Sequence, residues 1–221
     1  MKIAVVSSYP QKGSTHGALT VGGASYTKNL LMALSRIGIE SDVYADVIAD
    51  TAPESLGNST VHRIWKRFSF ASLVKVGEKL FTKPQTPIIV SLEAYMFGSL
   101  AHLAFFYLIL LALRLFRGTP IIIIAHQVPD AHFFAGSSRV VQTIRHRLSQ
   151  LMYVFLHGIS SRVIVFESSL KDNLVFSSKT SVIPHAVETQ KPVSLTLARK
   201  QLSIHQSARI LLFFWYIAEY K

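Results

Sequence analysis

Four short apolar runs constrain the fold more than any other feature of the sequence. They cover residues 3–6, 88–90, 121–125 and 163–166, are rich in β-branched side chains and are bounded by turn-forming residues. Continuous apolar runs of this kind are typical of strands that are buried on both faces of a parallel sheet. Segments with helical spacing lie between them. We therefore predict an α/β fold with a Rossmann-like, doubly wound parallel sheet.

Two adjacent glycines follow the first strand after a polar loop. Gly22 and Gly23 come directly before apolar residues that recur at helical spacing over positions 30–37, so they are expected at the N-terminus of a helix. Backbone N–H groups and the helix dipole favour a phosphate there, and glycine lets the ligand approach the backbone closely. The alternative is a tight strand-to-helix turn that binds nothing.

Three further candidate site residues follow later strands. His126 ends the isoleucine run at 121–125, at the edge of the sheet where α/β proteins bind ligands. The alternative for His126 is a structural histidine that hydrogen-bonds a loop. Glu93 and Ser168, which follow two other predicted strands, are included as candidate binding residues. No metal site is predicted, and the absence of cysteine excludes disulfides and thiolate ligands.

The chain is strongly basic, with a formal net charge of +11 over 221 residues. Such a charge implies an anionic partner, which could be a phosphate-bearing substrate, an anionic membrane or nucleic acid. Nucleic acid is the weakest of the three, because the sequence has no RNA-binding motif, zinc finger or helix-turn-helix. Six basic residues on and around a predicted amphipathic helix at 69–82 form a basic cluster: Arg63, Lys66, Arg67, Lys75, Lys79 and Lys83. It could be a solvated face or a surface for lipid headgroups.

Two other predicted helices have strongly apolar faces. Residues 94–113 contain no Asp, Glu, Lys or Arg, and the apolar stretch 96–116 is long enough to span a bilayer. Because it lies between two strands of one sheet, we expect a buried crossover helix, with partial membrane contact left open. In the helix predicted at 140–156, we expect an apolar side facing inward, made of Val141, Ile144, Leu148, Leu151, Met152 and Phe155.

Several motifs occur in an order that resembles a known family. After the opening strand come Gly22, Gly23, Ala24, Tyr26 and Leu30, then a strand that ends in His126. The segments 160–168 (SSRVIVFES), 182–188 (VIPHAVE) and 213–221 follow. This order resembles the N-terminal half of a GT-B glycosyltransferase of family 4, the glycosyl transferases group 1 kind.

The resemblance implies a domain plan and an activity. Residues 1–188 would form the acceptor-binding domain, 189–208 a linker and 209–221 the first strand of a truncated donor-binding domain. In that family a glycosyl group passes with retention from a nucleotide sugar, usually without a metal. Gly22 and Gly23 would approach the donor diphosphate, His126 would hydrogen-bond the donor sugar, and Lys221 matches a diphosphate-binding position. The expected partners are a sugar or lipid-linked acceptor and a separate donor-binding subunit.

The sequence also departs from the family pattern. Ala186 and Trp215 stand where glycine is usual, and the family's diphosphate-binding arginine is missing. The Glu-x7-Glu region of the second domain is absent. A second hypothesis is therefore a non-catalytic, membrane-peripheral binding module with the same fold. A dinucleotide enzyme is a weaker alternative because there is no G-x-G-x-x-G. Without cysteine or a visible signal peptide, the expected location is the cytoplasm, peripheral to the inner face of the membrane.

Overall fold

The computed structural model describes residues 1–11, 22–48, 52–83, 86–93, 96–128, 138–172, 174, 178–185 and 193–209. Its strands are β1 (Lys2–Val6), β2 (Glu40–Asp46), β3 (Glu54–Leu56), β4 (Ser59–Trp65), β5 (Ile88–Leu92), β6 (Ile121–Ala125), β7 (Arg162–Val165) and β8 (Thr180–Val182). Its helices are α1 (Gly22–Arg36), α2 (Phe70–Phe81), α3 (Leu100–Arg117), α4 (Arg139–Ile159), α5 (Ser168–Asp172) and α6 (Leu195–Gln201).

The described strands form one eight-stranded sheet, in the order β3-β4-β2-β1-β5-β6-β7-β8. All neighbouring strands are parallel except β3 and β4, which are antiparallel. This architecture confirms the predicted Rossmann-like α/β fold. β3 was not predicted, because its three residues lie in a stretch whose polar composition indicated a loop. The chain moves outward from β1 first toward β2 and later toward β5, so the strand order reverses at β1. Ligands of open α/β sheets bind at such a point.

Helices cover both faces of the sheet, as the alternating contacts of consecutive β1 side chains show. Ile3 and Val5 belong to an apolar cluster with Leu31 of α1. Ala4 and Val6 point to the opposite face and join a larger cluster that contains residues of α2, α3 and α4. Consecutive strand residues are thus buried on both faces, which explains why the strands read as continuous apolar runs.

α2 has the bounds and the orientation that its amphipathic pattern predicts. Ser69 caps its N-terminus by accepting a hydrogen bond from Ser72 N over 3.3 Å, and Thr82 is the C-cap. Leu73, Val76 and Leu80 are buried, whereas Lys75 and Lys79 are exposed. The basic face of this helix therefore faces solvent.

α3 is the crossover between the neighbouring strands β5 and β6, as predicted, but only one side of it is buried. It begins at Leu100 rather than Met96 and ends at Gly118, whose φ of 62° is left-handed. Phe106, Tyr107 and Leu110 pack on the sheet, while the opposite side of the helix is exposed. Among the described helices, α3 alone is long and apolar enough to cross a bilayer, and a third of it is buried.

The prediction of which side of α4 faces inward is wrong. Five of the six residues predicted to face inward are exposed, namely Val141, Ile144, Leu148, Leu151 and Phe155, and Met152 is partly buried. The side chains that α4 buries are those of Ser149, Leu156, His157 and Ile159, and residues 139–148 include none that is buried. The prediction failed because periodicity shows that a helix has an apolar side but does not show which side meets the sheet.

The chain divides into two compact units, residues 1–184 and 185–221. The first contains all the described strands. In the second, the described residues include α6, whose N-cap Ser194 accepts a hydrogen bond from Leu197 N. This segment was predicted as a linker with one amphipathic turn. The strand predicted at 209–221 lies almost wholly outside the described residues.

Candidate functional site

The carboxyl ends of β1, β5 and β6 lie side by side and bring several predicted residues to one edge of the sheet. Val6 pairs in register with Val90, and Leu92 pairs with Ala125. Ser7, Glu93 and His126 follow directly after these strands. α1 begins at the same edge, because it follows β1. The candidate site therefore lies at the reversal of strand order, where the topology places ligands.

A chain of hydrogen bonds connects α1 with His126. Ser7 Oγ lies 2.6 Å from Thr27 Oγ1, which lies 3.4 Å from Ser91 Oγ, and Ser91 Oγ lies 2.8 Å from His126 Nε2. Thr27 also donates to the carbonyl oxygen of Gly23 over 2.9 Å. Thr27 and Ser91 are fully buried, so these bonds are shielded from water. These hydrogen bonds hold the imidazole of His126 through its Nε2 atom.

Two aromatic rings contact the imidazole of His126. Its centroid lies 5.0 Å from that of Tyr26, in an edge-on arrangement, and 5.0 Å from that of Phe166. Tyr26 and Phe166 also contact each other at 5.2 Å. His126 itself is half-buried. The imidazole is therefore held in one orientation by Ser91 on one side and by rings from α1 and the end of β7 on the other.

The second prominent feature of the edge is the contact between Gly23 and Glu93. The Gly23 N–H donates to Glu93 Oε1 over 2.6 Å, so the carboxylate lies at the N-terminus of α1. A Cβ atom added to Gly23 would lie 1.9 Å from the same oxygen. Glycine is thus required for this close approach. The N–H on which the diphosphate prediction depends is bound here by the protein's own carboxylate, and a phosphate could bind it only if Glu93 moved.

Two carboxyl groups at this edge have pKa values above their usual range. Burial raises the pKa of Glu93; the Gly23 N–H opposes this rise, and the charge of Asp46 adds to it. Burial also raises the pKa of Asp46, against a hydrogen bond from Tyr9 N over 3.0 Å. These carboxyl groups can act as hydrogen-bond acceptors for hydroxyl groups, and, when protonated, as donors.

Arg63 supports the loop that follows β1, a role that the sequence analysis missed. Its guanidinium donates to the carbonyl oxygens of Tyr9, Asp46 and Pro10 at 3.3, 3.2 and 2.5 Å, and it lies 3.8 Å from Glu54. Its side chain is 5% exposed, so Arg63 does not belong to the surface basic cluster in which it was counted. The alternation of buried residues along β4, through Val61 and Trp65, is the signal that could have placed it inside.

Of the other predicted site residues, Ser168 takes no part in these contacts. Ser168 begins α5 just after β7 and is exposed. Gly22 is the first residue of α1, and Lys221 lies outside the described residues. The part of the chain that the structure describes contains no group of three or more His, Asp or Glu residues that could hold a metal ion.

Comparisons with known proteins add a distant likeness. No family model matches the chain, and no curated protein matches it significantly. Among solved structures, it is similar to an α,α-trehalose-6-phosphate synthase from Burkholderia multivorans, with 16% identity and a TM-score of 0.44. The match covers 78% of this chain and 41% of that one, so the chain spans less than half of the synthase's length. The site described above does not depend on this likeness.

Proposed function

We propose that the chain is the N-terminal, acceptor-side half of a retaining GT-B glycosyltransferase of the family 4 kind, which acts with a separate donor-binding subunit. The observation that supports this most is the convergence of Glu93, Tyr26 and His126 at the carboxyl edge of the sheet. A carboxyl group, an imidazole and aromatic rings suit a sugar, which offers hydroxyl groups and apolar ring faces. The acceptor would be a free sugar or a lipid-linked sugar.

In this proposal each residue has a distinct role. His126 hydrogen-bonds the donor sugar, and Ser91 keeps its ring in position through the 2.8 Å contact. Glu93 releases the Gly23 N–H when the donor arrives and accepts a hydrogen bond from an acceptor hydroxyl. Gly22 and Gly23 then present backbone N–H groups to the diphosphate, which gains negative charge as its bond to the anomeric carbon breaks. Ser168 and Lys221 are candidate contacts to the same ligands.

Sugar binding by the chain itself provides the first test. Saturation-transfer NMR with soluble saccharides and short-chain lipid-linked sugars should detect binding to the wild-type protein. Glu93→Ala should weaken it about tenfold, because Glu93 accepts a hydrogen bond from the acceptor and one hydrogen bond is worth roughly 1–1.5 kcal/mol. Glu78→Ala, which changes an exposed glutamate on α2, is the control and should bind like the wild type. A folded wild-type chain that binds no saccharide would contradict the acceptor-side assignment.

Transfer requires the second subunit and provides an independent test. Proteins that co-purify with the chain from its source cells would be mixed with it and supplied with radiolabelled nucleotide sugars and acceptor lipids. Label should reach the acceptor with the wild type and not with His126→Ala. Equal transfer by His126→Ala would remove this residue from the site.

A further inference from the structure

α4 carries a continuous apolar stripe on its exposed side. Val140, Ile144 and Leu151 are 69%, 61% and 64% exposed, and Val141, Leu148 and Phe155 are exposed as well. At roughly 100° per residue, these six side chains lie within an arc of about 100° on the helix. Of the four side chains that α4 buries, Ser149, Leu156 and His157 lie outside this arc, and Ile159 at the end of the helix lies on its edge. Over residues 140–155 the stripe therefore faces away from the sheet.

Exposed arginines flank the stripe on both sides. On the same helical projection, Arg147 lies about 20° beyond one edge and Arg145 about 40° beyond the other. Both are exposed, as is Arg139 at the start of the helix. α3 and α4 contain no acidic residue. In the whole segment 94–166 the single acidic residue is Asp130.

α3 extends the apolar surface beside α4. The rings of Tyr107 and Phe155 stack at 6.4 Å, which joins the two helices. A shallow groove between them is lined by apolar atoms of Ala104, Tyr107, Leu108, Leu151, Met152 and Phe155. Leu115 and Phe116 are exposed at the end of α3. We call this combined surface of α3 and α4 the apolar–arginine face.

We propose that the apolar–arginine face docks the protein on a membrane that contains anionic lipids. The exposed aliphatic and aromatic side chains would enter the boundary between headgroups and acyl chains, and the arginines would bind lipid phosphates. α3 would lie in the membrane surface and not cross it, because it joins β5 and β6, which are neighbours in one buried sheet. A protein partner would need a matching acidic surface, whereas an anionic bilayer supplies apolar and anionic chemistry together.

The face is connected to the candidate site through α4. Tyr153 of α4 donates a hydrogen bond to the carbonyl oxygen of Gln127, the residue after His126. In this proposal, docking holds the unit that contains the candidate site at the membrane surface, where the head of a lipid-linked acceptor lies. The docking itself does not depend on the proposed transfer reaction, and it can be tested on a His126→Ala protein.

Vesicle flotation tests the charge requirement. The full chain should float with vesicles of phosphatidylcholine and phosphatidylglycerol and not with phosphatidylcholine alone. Arg145→Glu with Arg147→Glu should lower the affinity about 30-fold or more, since each basic residue near the surface contributes about a fivefold factor. Lys75→Glu with Lys79→Glu changes the net charge equally on the exposed face of α2 and should have a smaller effect. Equal losses from the two pairs would overturn the proposal.

A fluorescent label tests which surface enters the bilayer. The chain contains no cysteine, so a single introduced cysteine can be labelled specifically. A polarity-sensitive dye on Ile144→Cys should shift to the blue with anionic vesicles. The same dye on Asn29→Cys should not shift, because this residue is exposed on α1, which packs on the opposite face of the sheet. No shift at position 144, or a shift on self-association without lipid, would overturn the proposal.

Discussion

Single residues at the carboxyl edge of the sheet are constrained by contacts between distant parts of the chain. Gly23 and Glu93 are 70 positions apart, and yet the N–H of one binds the carboxylate of the other over 2.6 Å. The sequence marks both residues as candidates but does not predict that they touch. Their contact shows that the N-terminus of α1 attracts an anion, as helix termini do, and that the anion in this structure is a side chain.

A double-mutant cycle should measure the coupling of Gly23 with Glu93. Gly23→Ala places a methyl group where Glu93 Oε1 lies, so the carboxylate must leave and its hydrogen bond is lost. We expect Gly23→Ala to lower the free energy of unfolding in the wild type and to be neutral or stabilising in Glu93→Ala. The coupling should be about 1–2 kcal/mol in urea unfolding.

The matched control for this cycle is Gly158→Ala. Gly158 lies in α4, is exposed, and a methyl group there would meet no atom within 4 Å. This substitution should stabilise the protein by about 0.5–1 kcal/mol, because alanine favours a helix. A Gly23→Ala effect that is the same with and without Glu93 would contradict the assigned contact.

At the scale of elements, the helices differ in whether a side chain caps their N-terminus and in whether their apolar side is buried. α2 has a side-chain N-cap and buries its apolar side, so local sequence and packing agree. The Ser138 side chain at the start of α4 makes no cap hydrogen bond, and that helix turns its most apolar stripe outward. An element that departs from the ordinary amphipathic arrangement needs a reason, and docking on a membrane supplies one.

Two of the N-cap serines, Ser69 and Ser138, allow a direct comparison. Ser69→Ala should lower the free energy of unfolding by about 1 kcal/mol, because the backbone N–H of Ser72 loses its acceptor. Ser138→Ala removes a hydroxyl group that makes no cap bond and should change stability by less than about 0.5 kcal/mol. Urea unfolding followed by circular dichroism measures both. If the two substitutions have equal effects, the cap contact of Ser69 contributes nothing.

At the scale of the molecule, the first unit contains all the described packing of the sheet. Both apolar clusters consist of residues between Ile3 and Val182, and the eight described strands lie between Lys2 and Val182. The excess of positive charge, +11 in all, is partly concentrated on α3 and α4, which have arginines and no acids. The core therefore belongs to residues 1–184, and the basic character includes a defined surface of that unit.

A shortened chain tests whether this unit folds by itself. Residues 1–184 should give a native-like circular dichroism spectrum and unfold in urea in a single transition, because the buried apolar clusters remain complete. The fluorescence of the buried Trp65 should change in the same transition. A non-cooperative transition would show that residues 185–221 are needed for folding.

The sequence alone was sufficient to predict the α/β class, most strand positions and the bounds of α2. It also predicted that Glu93 and His126 lie at strand ends and that Gly23 lies at a helix N-terminus. Local patterns suffice for these features because periodicity, capping residues and breaks at glycine act over a few neighbouring positions. The candidate-site prediction itself, including the roles of Ser168 and Lys221, stays a prediction.

Only the tertiary structure decided which groups meet and which surfaces stay exposed. Four features could not be predicted from the sequence. They are the burial of Arg63, the contact of Glu93 with Gly23, the hydrogen bond between Ser91 and His126, and the outward direction of the α4 stripe. Each depends on the rotation of an element relative to partners that are distant along the chain. The sequence pattern of a helix or strand shows that one side is more apolar than the other. Packing against the sheet then determines which side is buried.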